Sequence, residues 1–377
     1  MHMRPARLLL AAAALLSLAG CRRHDFPDYP KTYREYAYVA NGGDATVTVL
    51  DLINLRQDRV LHVGNSPSGI AANPTRNEIY AVNAGSDSVS VINAETNSVV
   101  GTIAVHRKPY FIDVDADGKL GYVANSGSNN VSVIDLARRR EIAVIGVGEG
   151  PGVARISPDL ATIVVSNRRS GSVSIIDAHT RTLRSKVPGC PGATDVVISL
   201  DSHKAFIACS DSHQVMVVSL DASAAADPLM TMLDVGDVPT HLALKPDGGE
   251  IFVSNFASNT ISEIATGTNE VGGAHPVGTH PSGSIVSADN AVLYVSNFAA
   301  DTIGVYAIDD GKLRSSVHVG SGPDAIALTS EGHLVLAADA KSNDVAVIRV
   351  IDNSLFTMLP VGTSPNSIVV KAFNLPK

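Results

Sequence analysis

A four-residue signature returns through this chain at near-constant spacing, and that spacing constrains the fold more than any other feature. Tyr122–Asn125 reads YVAN, and the pattern recurs as Tyr38–Asn41, Tyr80–Asn83, Val164–Asn167, Phe252–Asn255 and Tyr294–Asn297, with degenerate copies at Phe206–Cys209 and Leu336–Asp339. The closing positions fall at 41, 83, 125, 167, 209, 255, 297 and 339, so every step is 42 residues except one of 46 between 209 and 255. A fixed period of this size marks a repeat architecture, in which each unit buries its apolar face only against its neighbours.

Each unit carries four strand signals. In one of them these are Pro109–Val114 (PYFIDV), Gly121–Asn125 (GYVAN), Val131–Asp135 (VSVID) and Glu141–Val147 (EIAVIGV). Such short β-branched runs, bounded by Gly, Asn, Asp and Pro, read as strands, here called A to D. The A–B turn at Asp115–Lys119 is DADGK, and units are joined by Val-Gly-x-x-Pro links such as Val147–Pro151 and Val235–Pro239. Four antiparallel strands per 42 residues make a propeller blade. The chain begins in a strand B at Tyr38 and ends after a strand A at Pro365–Val370, with eight strands of each type. The expectation is an all-β, eight-bladed propeller whose last strand pairs with the N-terminal blade and closes the ring. Seven blades, the commoner number among related propellers, would leave a complete four-strand set unpaired.

The YVxN…VSVID pattern resembles the YVTN-repeat β-propeller family of exported bacterial and archaeal proteins, over about residues 37–372. The resemblance implies the fold and leaves function open, because the family's hallmark residues are structural. It also implies kinship with cytochrome d1-type propellers and with lactonase-type and lyase-type propeller enzymes. The chain has no Cys-x-x-Cys-His haem attachment and no block of acidic residues to cage calcium. Cys209 and Asp339 stand in the Asn position and Ala193 in the Pro position, departures that bear on local turn geometry.

Ahead of the repeats, Arg4 and Arg7 precede an apolar run, Leu8–Leu16, too short to span a bilayer as a mature helix. Leu18-Ala19-Gly20-Cys21 resembles the lipobox of bacterial lipoproteins. That resemblance implies a signal peptide over 1–20, acylation of Cys21, a polar tether over 21–36, the propeller over 37–372 and a short tail over 373–377. Arg22 follows the cysteine where an inner-membrane retention signal carries Asp, which implies an outer-membrane lipoprotein facing the periplasm, monomeric and held by its lipid anchor. A net charge of −8 argues against a nucleic-acid partner. With Cys21 lipidated, two thiols are left, Cys190 and Cys209. Both belong to the same end of one hairpin, and in an oxidising compartment they can pair. Register opposes this: a straight strand would carry Cys190 past the partner of Cys209, so a bridge needs the link to fold back at Gly189, Pro191 and Gly192.

Function is sought where one blade departs from the repeat. Links and B–C turns share one face, here called the top, at the mouth of the central channel. Two residues after the link Pro, most blades carry a small or apolar residue, but Asp195 and His241 fall on consecutive blades. The links add His106, Arg107, Lys108, Tyr110 and His280; the B–C turns add Arg168 and His213. These nine form a candidate ligand site on the top face, for a small molecule or a protein. There His with Asp serves as metal ligand or acid–base and the basic groups hold an anion. The alternative is that each is a solvated loop residue. No catalytic or metal set and no cofactor is named by a motif. Arg138–Glu141 reads as a solvated turn, and Phe256 and Phe298 as cover for the core between blades. The functional expectation is a non-enzymatic binding or scaffolding module. The competing reading is a propeller enzyme, or a cofactor- or metal-handling protein of lactonase, lyase or haem-related type, using His241, Asp195 and His280 at the channel mouth.

Overall fold

In the computed structural model, residues 28–375 are described; Cys21 and the segment before it lie outside them. Eight four-stranded antiparallel sheets form a ring, so the chain is an eight-bladed, all-β propeller. Blades 1 to 8 are numbered here by their innermost strands: Pro67–Ala72, Pro109–Val114, Pro151–Ile156, Ala193–Ile198, Pro239–Leu244, Pro281–Val286, Pro323–Leu328 and Pro365–Asn374. Blade 8 is built from both ends of the chain, in the order Arg56–His62, Thr46–Asp51, Tyr33–Asn41, Pro365–Asn374. The 46-residue step is an insertion in blade 4 between Gln214–Ser219 and Leu229–Asp234, which carries a single 3-10 turn at Ala222–Ala224. Residues 34–373 make one compact unit. Outside it, the Tyr29 and Tyr33 rings stack at 4.6 Å and Leu375 N–H bonds to Thr32 O.

The core lies between blades. Val131, Val133 and Ile145 of blade 2 pack against Ala154, Ile163, Val165 and Ile176 of blade 3, and the same arrangement recurs around the ring. Each such buried Val or Ile contributes ~1.5–3 kcal/mol, so strands whose both faces are apolar are held between two neighbours.

The recurring Asn is explained by its contacts. Its side chain is buried, and Nδ2 donates to hydroxyls five and seven residues on: Asn41 to Thr46 and Thr48, Asn167 to Ser172 and Ser174, Asn255 to Thr260 and Ser262. The link Gly lies directly over it. A Cβ on Gly148 would come 2.6 Å from Asn167, and one on Gly236 2.7 Å from Asn255. The backbone after the Asn then bonds the residue before the link Pro, as in Ala84 to Ser66 and Arg168 to Gly150. The Asn and Gly signatures are therefore two sides of one contact.

That contact also accounts for the cysteines. Cys190 takes the link-Gly position of blade 4 and Cys209 the Asn position, so their Cβ atoms are turned toward each other. They are joined as a fully buried disulfide with Cα atoms 4.9 Å apart. Ala193 pairs with Cys209 in the ladder, and the link folds back above it through Gly189 and Gly192, both at positive φ.

Candidate functional site

The innermost strands of successive blades touch around the channel, and side chains of one strand bond the backbone of the next. Most of these clips are neutral: Ser68 Oγ to Tyr110 O at 3.0 Å, Ser282 Oγ to Pro323 O at 3.2 Å, Asn366 Nδ2 to Pro67 O at 3.0 Å. Asp195 and His241 make charged versions of the same clip. Asp195 Oδ1 accepts its neighbour Val196 N–H at 2.8 Å, and Oδ2 accepts Leu242 N–H at 3.1 Å across the blade boundary. The same Oδ2 lies 3.0 Å from His241 Nδ1, and His241 Nε2 lies 3.0 Å from Ser284 O of blade 6.

Both partners of the His241 ring are pure acceptors, so both ring nitrogens carry hydrogen and the ring is an imidazolium. Burial opposes charging either group. For Asp195, the His241 hydrogen bond and charge, the field of Arg155 and the Leu242 N–H outweigh burial and hold the carboxyl below its ordinary range. For His241, burial is outweighed by Asp195, and the ring is held above its ordinary range. The ring has no lone pair left for a metal ion, and its side chain is still a third exposed toward the channel. Among the described residues no group of three or more His, Cys, Asp or Glu converges as a metal site requires.

Further charged residues share these innermost strands. Arg155 lies over the Phe111 ring, 4.5 Å from its centroid, with its guanidinium 3.5 Å from Asp113. Asp113 Oδ2 accepts Ile156 N–H at 3.0 Å, another charged clip, and burial pushes its carboxyl up although Arg155 opposes this. In blade 7, burial pushes the Asp324 carboxyl up against the Ser282 hydrogen bond and the charge of His241. Lys371 of blade 8 donates to Asn73 O at 2.6 Å. Asp113, Arg155, Asp324 and Lys371 are not among the residues marked from sequence, where the only strand A position compared is the second after the link Pro. Comparing the fifth position of strand A across blades isolates Asp113 and Arg155 among Ala, Val and Ile.

Of the nine residues marked from sequence, the structure pairs Asp195 with His241; the others engage separate partners. His106 Nε2 lies 3.4 Å from Glu141 Oε2 of blade 2. His213 Nδ1 accepts Val238 N–H at 3.1 Å. His280 stacks on Phe256 with centroids 4.4 Å apart. Arg107 and Lys108 are exposed and bonded through their backbone N–H groups to Ser128 and Asp87. Tyr110 and Arg168 are exposed.

A family model described as "Lactonase, 7-bladed beta-propeller" matches residues 269–357, from the outer edge of blade 5 through blade 7 and well short of half the chain. No curated protein matches. Solved structures similar to this one include the dihydro-heme d1 dehydrogenase NirN in complex with DHE (TM-score 0.75, 15% identity, covering 92% of this chain and 77% of that one). A putative 6-phosphogluconolactonase from Bacteroides fragilis aligns with TM-score 0.62 at 15% identity, over 92% of this chain and all of that one (100%). Hydrazine synthase of Kuenenia stuttgartiensis aligns with TM-score 0.61 at 23% identity, over 77% of this chain and 97% of that one. At such identities the likeness carries the fold alone. The expectation of a non-enzymatic scaffold is nevertheless corrected: the matching model is that of an enzyme family, and these three similar structures carry enzyme names. The competing reading, an enzyme or cofactor-handling propeller, is the one these findings favour.

Proposed function

We propose that this protein is a propeller hydrolase that opens a small anionic lactone or ester against the inner wall of its channel. The observation that carries this is the set of ionisable residues Asp113, Arg155, Asp195 and His241, standing where most other blades place small or apolar side chains on the innermost strand, joined by Asp324 in the column that elsewhere carries the neutral clips Ser68, Ser282 and Asn366. The match of residues 269–357 to a lactonase family model agrees with it.

The roles follow from the electrostatics. Arg155, steadied by Asp113 and Phe111, holds an anionic substrate and stabilises the oxyanion that develops at the attacked carbonyl, and the fixed charge of the His241 imidazolium adds its field. Asp324, its carboxyl raised by burial, takes the proton of the attacking water and returns it to the departing alkoxide. Water adds across the acyl C–O bond, giving a carboxylic acid and an alcohol.

The test is proton release in a pH-stat, with phosphorylated and unphosphorylated aldonolactones as probes. Asp324→Asn should lower kcat by about 10²-fold or more, while Arg155→Met should chiefly raise KM for the phosphorylated probe. Turnover no faster than the buffer reaction, or turnover untouched by both substitutions, would refute the proposal.

The repeats are also read as YVTN-type and the chain as a lipoprotein acylated at Cys21, tethered to the outer membrane and facing the periplasm. A buried disulfide supports an oxidising compartment. Cys21→Ser should abolish processing and membrane fractionation; a substituted protein that still fractionates with the outer membrane would count against it.

A further inference from the structure

Blade 5 breaks the repeat at two adjacent outer positions that the channel chemistry does not use. In the outermost strands, the residue paired with the first apolar position of strand C is a buried aliphatic plug: Ile103, Ile145, Val187, Val317 and Leu359 are each at most 6% exposed. In blade 5 that residue is His275, paired with Ile261. Two residues further along strand C, Val133, Ile175, Val217, Val305 and Val347 are buried, and blade 5 has Glu263 instead. Opposite Glu263 the outer strand carries Gly272 and Gly273 in place of side chains.

The outcome is a half-open surface cleft between blades 5 and 6. Its walls are apolar, formed by Phe252, Ile261, Leu293 and Ile308, with Tyr306, Glu263 and His275 as its polar groups. The His275 ring rests over Gly311 of the neighbouring blade, where an added Cβ would come within 3.0 Å. Glu263 shares a hydrogen bond with Glu250. Lys245 stands beside this pair, its Nζ 3.2 Å from Glu250 and 3.5 Å from Asp247. Glu250, Asp247, Lys245 and His275 are the titratable groups around Glu263, and carboxylates outnumber the fixed cation. Burial and Glu250 together push the Glu263 carboxyl up, outweighing the opposing charges of His275 and Lys245. Two ionisable groups in place of two aliphatic plugs run against everything else the repeat does, which is how a site departs from its scaffold.

We propose that this cleft binds a small amine with an apolar body, its ammonium on the Glu263 carboxylate and its hydrocarbon against Phe252, Ile261 and Leu293. The probe is benzylamine, followed by titration of protein NMR shifts, with benzoate and benzyl alcohol as matched controls. Saturable binding of benzylamine is expected, with both controls at least about tenfold weaker. Glu263→Gln keeps the shape and should weaken benzylamine by about tenfold or more. His275→Leu restores the plug of the other blades, so it should abolish binding while raising the melting temperature. Failure of benzylamine to bind the unaltered protein, equal binding of benzoate, or binding that survives both substitutions would overturn the proposal. The channel hydrolase assay reads a different site and is expected to be unaffected by either substitution.

Discussion

Replacing Asp339 with the Asn that six other blades carry should stabilise the protein, and increasingly so as pH rises. Asp339 is fully buried at the top of blade 7. Its Oδ2 accepts Gly320 N–H at 3.0 Å, and its Oδ1 has no donor. Where blades 1, 3 and 6 place Ser88, Ser172 and Thr302 to accept from the Asn amide, blade 7 places Asp344. Two carboxyl groups therefore meet where the repeat has a donor and an acceptor. Burial first, and Asp344 second, push Asp339 up to about 8. An unfolded Asp titrates near ~3.9. An acid whose folded pKa is raised is no burden below the unfolded value, and it costs stability progressively as pH climbs from ~4 toward 8. At pH 7 that is roughly three units at ~1.4 kcal/mol each, about 4 kcal/mol as an upper bound. Sharing of the proton with Asp344 reduces it, so a gain of about 2–4 kcal/mol is expected for Asp339→Asn near neutral pH. The amide keeps the one function and supplies the missing one: its oxygen accepts Gly320 N–H, and its nitrogen donates to Asp344, as Asn125 does to Asn130 at 2.8 Å. Urea unfolding of both proteins at pH 4.5, 7 and 8.5 measures the difference. A variant no more stable than the parent at pH 8.5, or a gap that does not widen with pH, would refute the reasoning.

The Asp195–His241 pair should show the opposite pH signature. The raised His241 stabilises fully below ~6.5 and loses this as pH climbs through its folded value; the depressed Asp195 stabilises above ~3.9 and loses this as pH falls. Asp195→Asn should therefore lower the melting temperature most between about pH 4 and pH 6.5, and a pH-independent difference would show that the pair is not ionised. The Cys190–Cys209 bridge spans a sequence separation of 19, worth about 3 kcal/mol in the chain-entropy model. Reduction under denaturing titration should cost about that much, while Cys190→Gly with Cys209→Asn should recover part of it by restoring the Gly–Asn contact; reduced protein unfolding at the same urea concentration would argue against a staple.

The blade number was legible because strand periodicity and the phase of the repeat are both local signals that add up over eight copies. The link Gly and the closing Asn were legible separately, but not as a contact, because they lie 19 positions apart in the chain and only folding brings Gly148 over Asn167. His213 shows the limit of reading exceptions singly. It stands where three other blades carry Asn129, Asn259 and Asn343, and the position has one job: a side chain at positive φ accepts the N–H ahead of the next link Pro. Asn129 does this for Gly150 at 2.9 Å and His213 does it for Val238 at 3.1 Å. Glu263 and His275 went unread for the converse reason. Each is ordinary in isolation, and they stand out only when columns of the repeat are compared and strand pairing places them side by side.

The charged clips bear on why a ring is a good place for such chemistry. A neutral clip such as Ser68 spends its hydroxyl on the next blade's carbonyl. Asp113, Asp195 and His241 make the same side-chain-to-backbone bond, to Ile156, Leu242 and Ser284, and keep a net charge or a second polar atom after making it. Each is fixed at one atom by a strand held between two blades, so its orientation needs no separate support. Charges fixed in this way do not have to reorganise when a substrate's own charge develops, and that is the condition for electrostatic stabilisation to be large. The loop-borne candidates differ in this respect. Arg107 and Lys108 are anchored through their backbones and leave long, exposed side chains free to move. They suit the attraction of an anion toward the mouth, where screening by salt limits their reach to about 8–10 Å, whereas the innermost strands suit holding it once there.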